Sequence, residues 1–126
     1  MGAKKTIYLD RIKKGQFMSW FITTQAANRI HVKLYDDNHV YVNDSKQSRN
    51  IEPPLSQGSA FVYGYNLKMD ISLDCNTEIK TWLNMSDISS VEGKCVGESF
   101  SLAGEDQTDD DYNDIYVSIS AWDKAY

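Results

Sequence analysis

A short acidic segment near the C-terminus carries the side chains of this sequence that are best suited to chemistry. Six of the ten residues at positions 105–114 are carboxylic acids. Carboxylates this close repel one another and raise one another's pKa, so an inward-facing cluster needs a cation. Calcium meets that need, because it accepts roughly six to eight hard oxygen ligands in flexible geometry. The segment therefore predicts a calcium site.

The spacing of the acids supports the same prediction. Asp109, Asp111 and Asn113 alternate, so an extended or looped segment can aim their oxygens in one direction. Asp114 follows directly, and Glu105 lies upstream, where the loop can fold back. An EF-hand is excluded, because its loop requires glycine at the position of Asp114. A solvated acidic loop without metal is the simpler alternative, since runs of charge usually face water.

The elements that must position this loop are predicted to be β-strands throughout. Strict alternation over residues 29–35, a turn at 36–38 and a return strand from 39 predict a hairpin. The last strand, Ile115–Trp122, also alternates, and a loop is predicted over 43–59. Other strands are expected at residues 6–9, 16–24, 60–65, 67–73, 79–83 and 99–103. We expect one all-β domain over residues 1–126, an antiparallel β-sandwich of Greek-key type with about nine short strands.

Residues 102–114, with the sequence LAGEDQTDDDYND, are followed by a strand that ends near Trp122. This segment resembles the two-calcium, fucose/mannose-binding bacterial lectin family (fucose-binding lectin II type). The close match covers about the last quarter of the chain, and the rest is similar in strand pattern and length. The resemblance implies two adjacent calcium ions that share carboxylates and are ligated directly by two sugar hydroxyls.

The resemblance also implies roles for individual residues in two segments. The implied calcium ligands are Glu105, Asp109, Asp111, Asn113, Asp114 and the main-chain carbonyl of Thr23. The implied sugar-binding residues are Asp106, Asp109, Asp111, Asp114, Thr24, Gln25 and Ala26, of which the last three set sugar preference. The family favours glycine where this chain has Ala26 and Gln107, so the sugar choice is expected to differ.

The C-terminus departs from the family pattern. The family ends in a glycine whose carboxylate reaches a calcium ion in the neighbouring subunit, whereas this chain continues beyond Trp122 and ends at Tyr126. We expect a homo-oligomer, a dimer or tetramer, because several weak sites gain avidity when they are linked.

Composition argues against several classes of partner. The net charge of −5 and the pI near 4.9 disfavour nucleic acid and anionic membrane surfaces. The sequence has no apolar run of about 20 residues, so membrane insertion is not expected. The N-terminal residues lack the apolar stretch of a cleavable signal peptide. We therefore expect cytoplasmic synthesis, with a non-classical route if the protein acts outside the cell.

Some interpretations stay open at this point. Calcium could brace a structural β-sandwich or adhesin module that binds no sugar. Cys75 and Cys95 could be free thiols or a disulfide between neighbouring strands. Trp20 and Trp122 lie within strands and are expected in the core or an interface, whereas Trp82 is harder to assign. No nucleophile motif is present and ligand spacing explains the acids, so we do not expect an enzyme.

Overall fold

Alternating apolar and polar side chains build this chain into strands whose apolar sides meet in one core. The structure, a computed structural model, describes residues 3–74, 79–105 and 114–123. These residues form nine strands and no helix. The strands are β1 (Lys4–Tyr8), β2 (Phe17–Thr24), β3 (Ala26–Tyr35), β4 (Val40–Ser48), β5 (Ser56–Phe61), β6 (Lys68–Leu73), β7 (Lys80–Ser89), β8 (Cys95–Glu105) and β9 (Ile115–Trp122).

The strands pair into two antiparallel sheets. One sheet has the order β1-β6-β3-β4 and the other the order β5-β2-β9-β8-β7. The predicted β3–β4 hairpin is confirmed, and β7–β8 and β8–β9 are hairpins too. The all-β, antiparallel sandwich with about nine strands is therefore confirmed. Some strands that are adjacent in a sheet, such as β2 and β9, are not consecutive in the chain. Such pairs require the long crossover connections of a Greek key.

The core lies between the two sheets and sets the register of their strands. The buried side chains of the central strands are Ile30, Val32 and Leu34 on β3 and Ile115, Val117, Ile119 and Ala121 on β9. Each large aliphatic side chain buried in this way contributes roughly 1.5–3 kcal/mol. A slip of one residue would turn these side chains towards solvent, so the core fixes where each strand ends.

The sequence predictions are wrong for the edge strands, and also for the interior strand β8, which runs from Cys95 to Glu105 instead of the predicted 99–103. β4 runs to Ser48 and β5 begins at Ser56, so the loop predicted over 43–59 is limited to residues 49–55. β5 ends at Phe61, before the predicted end at 65, and β7 continues to Ser89 instead of ending at 83. Edge strands are stabilised by pairing with one neighbour and need not alternate, so their polar residues resemble a loop in the sequence. Within the described ranges, no helix is long and apolar enough to cross a membrane.

Candidate functional site

One end of the five-stranded sheet brings together the segments that the sequence indicates. β2 ends at Thr24, which is paired in register with Ile115 at the start of β9. On its other side Ile115 is paired with Gly104, one residue before β8 ends at Glu105. The corner between β2 and β3 and both ends of the acidic loop therefore lie side by side.

Backbone hydrogen bonds fix Asp114 between these strands. The amide of Gln25 donates to the carbonyl oxygen of Asp114 over 3.0 Å, and the amide of Asp114 donates to the carbonyl oxygen of Gly104 over 3.0 Å. Asp114 is thus held on both sides. The backbone of the corner between β2 and β3 therefore sets the point at which the acidic loop returns to the sheet.

The acidic loop itself, residues 106–113, lies outside the described residues. The ligand and sugar-binding roles of Asp106, Asp109, Asp111 and Asn113 therefore stay predictions. The structure describes where this loop leaves the sheet, after Glu105, and where it rejoins the sheet. Those two points are adjacent, at the same end of β8 and β9.

Two buried residues at the base of the loop carry oxygen atoms of the kind that calcium prefers. Glu105 is 1% exposed, and Thr24 on β2 is equally buried. The hydroxyl oxygen of Thr24 has no hydrogen-bond partner among the described residues, although buried polar groups usually have one. A carboxylate and a hydroxyl are hard oxygen donors, which are the ligands that calcium prefers.

The residues predicted to bind calcium or sugar in the corner between β2 and β3 differ in burial. Thr23, Thr24 and Ala26 are buried, whereas Gln25 is partly exposed. The hydroxyl of Thr23 donates to the carbonyl oxygen of Ile51. Of the three residues predicted to set sugar preference, Gln25 is therefore the one whose side chain reaches solvent. Thr24 and Ala26 shape the corner from beneath.

Lys46 on β4 supports this corner, and sequence reasoning missed it. Its ammonium donates to the carbonyl oxygens of Thr24 at 2.7 Å, Asn50 at 2.7 Å and Ile51 at 3.0 Å, and lies 3.4 Å from the hydroxyl oxygen of Thr23. Burial lowers the pKa of this lysine. The residue falls in a segment predicted as loop, and no spacing in the sequence links it to residues 23–26.

The three tryptophans have different environments. The indole Nε1 of Trp20 donates to the hydroxyl of Ser56 over 3.0 Å. Trp122 packs edge-on against Phe17, with ring centroids 5.5 Å apart. Both residues are partly buried in their strands, as expected. Trp82 on β7 is 71% exposed, and it borders a shallow groove on the outer side of the five-stranded sheet.

A second group of acids lies far from this corner. Ligand atoms of Asp87, Cys95 and Glu98 lie within 4.8 Å of one another. The guanidinium of Arg11 contacts the Asp87 carboxylate and lies 3.1 Å from that of Glu98, so the positive charge is already supplied. Cys95 is a free, exposed thiol, which favours the free-thiol interpretation, and Cys75 lies outside the described residues.

Comparison with known proteins gives matches in fold. No protein-family model matches the chain, and no curated protein matches its sequence. The high-affinity mannose-binding lectin of Ralstonia solanacearum is 16% identical, with a TM-score of 0.64 over 87% of this chain and 91% of that chain.

Two further solved structures are similar. The C-terminal domain of the lectin BC2L-C from Burkholderia cenocepacia is 16% identical, with a TM-score of 0.64 over 95% of this chain and 97% of that chain. The Chromobacterium violaceum lectin CV2L, solved in complex with alpha-methyl-fucoside, is 19% identical, with a TM-score of 0.59 over 86% of this chain and 96% of that chain. This chain therefore has the fold of these bacterial lectins, over nearly the whole length of each.

Proposed function

We propose that this chain is a calcium-dependent lectin that binds fucose- or mannose-type monosaccharides where β2, β8 and β9 meet. The observation that carries the proposal is the convergence of buried Glu105, Asp114 and the corner at residues 23–26 at the two ends of the acidic loop. The shared fold with a mannose-binding lectin and with a lectin bound to alpha-methyl-fucoside supports it.

The physical advantage of calcium is the strength of its contacts with sugar hydroxyls. Sugars are neutral and well hydrated, so an ordinary hydrogen bond to protein contributes only about 0.5–1.5 kcal/mol net. Calcium, when bound, supplies charge-assisted contacts and open coordination positions for a pair of hydroxyls. We propose two ions, held by Glu105, Asp109, Asp111, Asn113, Asp114 and the main-chain carbonyl of Thr23.

The protein side chains then orient the sugar. We propose that Asp106, Asp109, Asp111 and Asp114 accept hydrogen bonds from its hydroxyls. Gln25 is the exposed residue of the corner, so it is the residue we propose to touch the parts of the sugar that distinguish one monosaccharide from another. Thr24 and Ala26 hold the backbone of that corner. Several such sites in a dimer or tetramer would gain avidity for multivalent glycans.

Calorimetric titration tests the proposal. L-fucose and D-mannose are titrated into the protein with calcium, and again after a chelator has removed it. We expect binding with calcium and none with chelator. Sugar binding that is unchanged by the chelator would contradict the role of calcium.

Asp111→Ala sharpens this test, because Asp111 is the central acid of the spaced set. We expect the variant to lose both calcium and sugar binding while it stays folded. Asp87→Ala is the matched control, since Asp87 is an exposed acid on β7 that pairs with Arg11. Calcium affinity in Asp111→Ala equal to that of the control would refute the proposed role of Asp111 as a calcium ligand.

A structural calcium module is the second candidate. Burial of Thr24 and Ala26 favours it, because those side chains are hidden from a ligand. In that case calcium raises the melting temperature, yet no monosaccharide or glycan of a broad array binds. Exchange of residues 24–26 separates the two candidates further, because a lectin should change its sugar preference and keep its calcium affinity.

A further inference from the structure

A pocket opens at the end of the sandwich opposite the candidate site. β3 begins beside the candidate site at Ala26 and ends at Tyr35, which pairs with Lys68 at the start of β6. The pocket lies next to this pair, between the β1–β2 loop, residues 9–16, and the β5–β6 loop, residues 62–67. Its volume is about 530 Å³, within the range of roughly 300–1,000 Å³ of small-molecule sites. We call it the far pocket.

Backbone hydrogen bonds join the two loops on both sides of the far pocket. The amide of Leu9 donates to the carbonyl oxygen of Leu67 over 2.9 Å. On the other side, the amide of Gly15 donates to the carbonyl oxygen of Val62, and the amide of Val62 donates to that of Gln16, both over 2.8 Å. The pocket is therefore held open by the fold itself, so a ligand would not have to order these loops when it binds.

The far pocket combines buried apolar side chains with exposed polar and charged ones. Ile12 and Leu67 line it and are buried. The exposed side chains that line it come from both loops: Asp10, Lys13, Lys14, Tyr65 and Asn66. These side chains carry two positive charges and one negative charge, whereas the whole chain has a net charge of −5. The far pocket is therefore a locally cationic site on an acidic protein.

Tyr65 gives the far pocket an aromatic surface beside a positive charge. The side chain of Tyr65 is 64% exposed, and the ammonium of Lys14, from the other loop, lies 4.8 Å from the centroid of its ring. The next residue, Asn66, is fixed in place, because its amide nitrogen donates to the carboxylate of Asp37 over 2.7 Å. Aromatic rings pack well against flat apolar surfaces, and the C–H face of a sugar ring is such a surface.

Asp10 and Lys13 add a hydrogen-bond acceptor and a charged donor to the far pocket. Within the described ranges, neither side chain forms a hydrogen bond or an ion pair. Arg11 between them differs, because it is paired with Asp87 and Glu98. A carboxylate accepts hydrogen bonds from hydroxyls, and an ammonium donates its strongest hydrogen bonds to anions. These two groups suit a ligand that carries both hydroxyls and a negative charge.

We propose that the far pocket binds a sugar that carries a carboxylate, such as a uronic acid. The ammoniums of Lys13 and Lys14 bind the carboxylate of the sugar. Asp10 accepts hydrogen bonds from the sugar hydroxyls, and Tyr65 packs against the apolar face of the sugar ring. A bare anion would leave Asp10 and Tyr65 unused, and a neutral sugar would leave the two ammoniums unused. An acidic sugar uses all four side chains.

The acidic character of the chain does not prevent an anion from binding in the far pocket. The ten residues of β3 place the candidate site about 30 Å away, well beyond the Debye length of about 8 Å at physiological ionic strength. The nearby acid Asp37 is balanced by Lys68, whose ammonium lies 3.7 Å from its carboxylate. This inference requires neither calcium nor the acidic loop, so it can fail or succeed independently of the proposed function.

NMR titration of the isotope-labelled full chain tests the proposal, with a chelator present so that calcium plays no part. D-glucuronate and D-galacturonate are compared with D-glucose and D-galactose, which lack the carboxylate, and with inorganic phosphate, which lacks the ring. With at least one uronate we expect saturable shifts of the amide signals of residues 10–14 and 64–67, with a dissociation constant on the order of 1 mM because the ligand is small. The neutral sugars and phosphate should bind roughly tenfold more weakly or worse.

Two variants with matched controls test the roles of the side chains. Tyr65→Ala and Lys13→Ala should each weaken uronate binding roughly tenfold, because the first loses the aromatic surface and the second a charged donor. Tyr63→Ala is the control for the tyrosine, since Tyr63 is an exposed residue of the same loop whose ring lies against His39. Lys33→Ala is the control for the lysine, since Lys33 lies on β3 outside both loops. Both controls should bind the uronate as wild type does.

Amide signals outside the two loops show whether each variant is folded, so loss of binding can be separated from loss of structure. Three results would overturn the proposal. The first is that neither uronate shifts the signals of the two loops. The second is that phosphate binds as tightly as the uronates, which would indicate an adventitious ion only. The third is that Tyr65→Ala and Lys13→Ala both bind the uronate as wild type does.

Discussion

Two buried carboxylates lie at opposite ends of the sandwich and differ in the groups that surround them. β3 begins next to the candidate site and ends at Tyr35, so its ten residues separate the site from Asp36 by about 30 Å. The Asp36 side chain is 0% exposed, and Glu105 at the site is nearly as buried. Burial alone therefore does not distinguish a structural acid from a ligand.

The β3–β4 turn itself supplies the partners of Asp36. The Asp36 carboxylate accepts hydrogen bonds from the amides of Asn38 and His39, both at 2.8 Å, and from the hydroxyl of Tyr41. Burial raises the pKa of Asp36, but these hydrogen bonds outweigh it and hold the pKa below its usual value. Burial and the bond to Asp36 raise the pKa of Tyr41 to about 12. Gly64 leaves room for the carboxylate, since a Cβ there would lie 2.5 Å from an Asp36 oxygen.

Glu105 has a different setting, because five more acids follow it within nine residues. Acids close together raise one another's pKa, and a shared cation relieves that repulsion. Asp36 is structural because its own turn donates hydrogen bonds to it. Glu105 is instead the buried acid that we propose as a calcium ligand, because it begins the acidic segment.

Substitution of Asp36 should have the largest effect on stability. Asp36→Ala leaves two amides and the Tyr41 hydroxyl without their buried acceptor, so we expect a loss of about 3 kcal/mol in the free energy of unfolding. Urea denaturation measures it, with calcium affinity unchanged. Asp37→Ala is the control, because Asp37 is exposed and should cost less than about 1 kcal/mol. Equal losses of unfolding free energy in the two variants would show that Asp36 has no special structural role.

Substitution of Glu105 should weaken calcium binding and have a smaller effect on the stability of the calcium-free protein. We expect Glu105→Gln to weaken calcium binding on the order of a hundredfold, about 2.7 kcal/mol, because a charged ligand is lost while the shape is kept. Without calcium, the melting temperature of Glu105→Gln should differ from that of wild type by less than the melting temperature of Asp36→Ala does. Calorimetry and thermal unfolding with and without calcium measure both quantities. A variant that binds calcium as wild type does would exclude Glu105 as a ligand.

Lowering the pH should reduce the stability of the protein gradually, as two buried carboxylates, Asp36 and Asp70, become protonated. Burial raises the pKa of Asp70, but bonds from Thr6, Tyr35 and Lys4 outweigh it and lower the pKa. Both folded pKa values lie below the unfolded value near 3.8, so this stability is present above pH 3.8 and is lost as pH falls through the folded values.

Melting temperatures measured from about pH 6 to about pH 2 should therefore fall, and should fall less in Asp36→Asn, which has lost one of the two groups. A variant with the same pH dependence as wild type would show that Asp36 does not contribute.

Substitution of Lys46 should have the smallest effect of these changes on stability, about 1–2 kcal/mol, because carbonyl oxygens lose a charged donor. In Lys46→Met we expect sugar affinity to fall several-fold and the fucose-to-mannose ratio to change, with calcium affinity nearly constant. Lys33→Met is the control, since Lys33 lies 4.3 Å above the ring of Tyr35 on β3. An unchanged ratio would limit Lys46 to a structural role.

The central strand β9 could be predicted from the sequence, whereas the full lengths of β8 and of the edge strands, and part of the site, could not. β9 begins and ends where its alternation predicts, because one of its faces is buried along its whole length. The lengths of β4 and β7 were underestimated, because each strand is held by pairing with one neighbour and shows little alternation of apolar and polar side chains. Thr24 is predicted to help to set sugar preference, and the burial of its side chain was not predictable, because it depends on the strands packed around it.

The sequence by itself determined the local chemistry: a run of spaced acids suited to calcium, and alternating strands that must form a sandwich. Only the tertiary structure decided which distant residues meet, including Asp114 beside Gln25 and the Lys46 ammonium on three carbonyl oxygens. The physical reason is that strand pairing joins residues far apart in the chain. Its register is set by packing of the whole core, which no local pattern encodes.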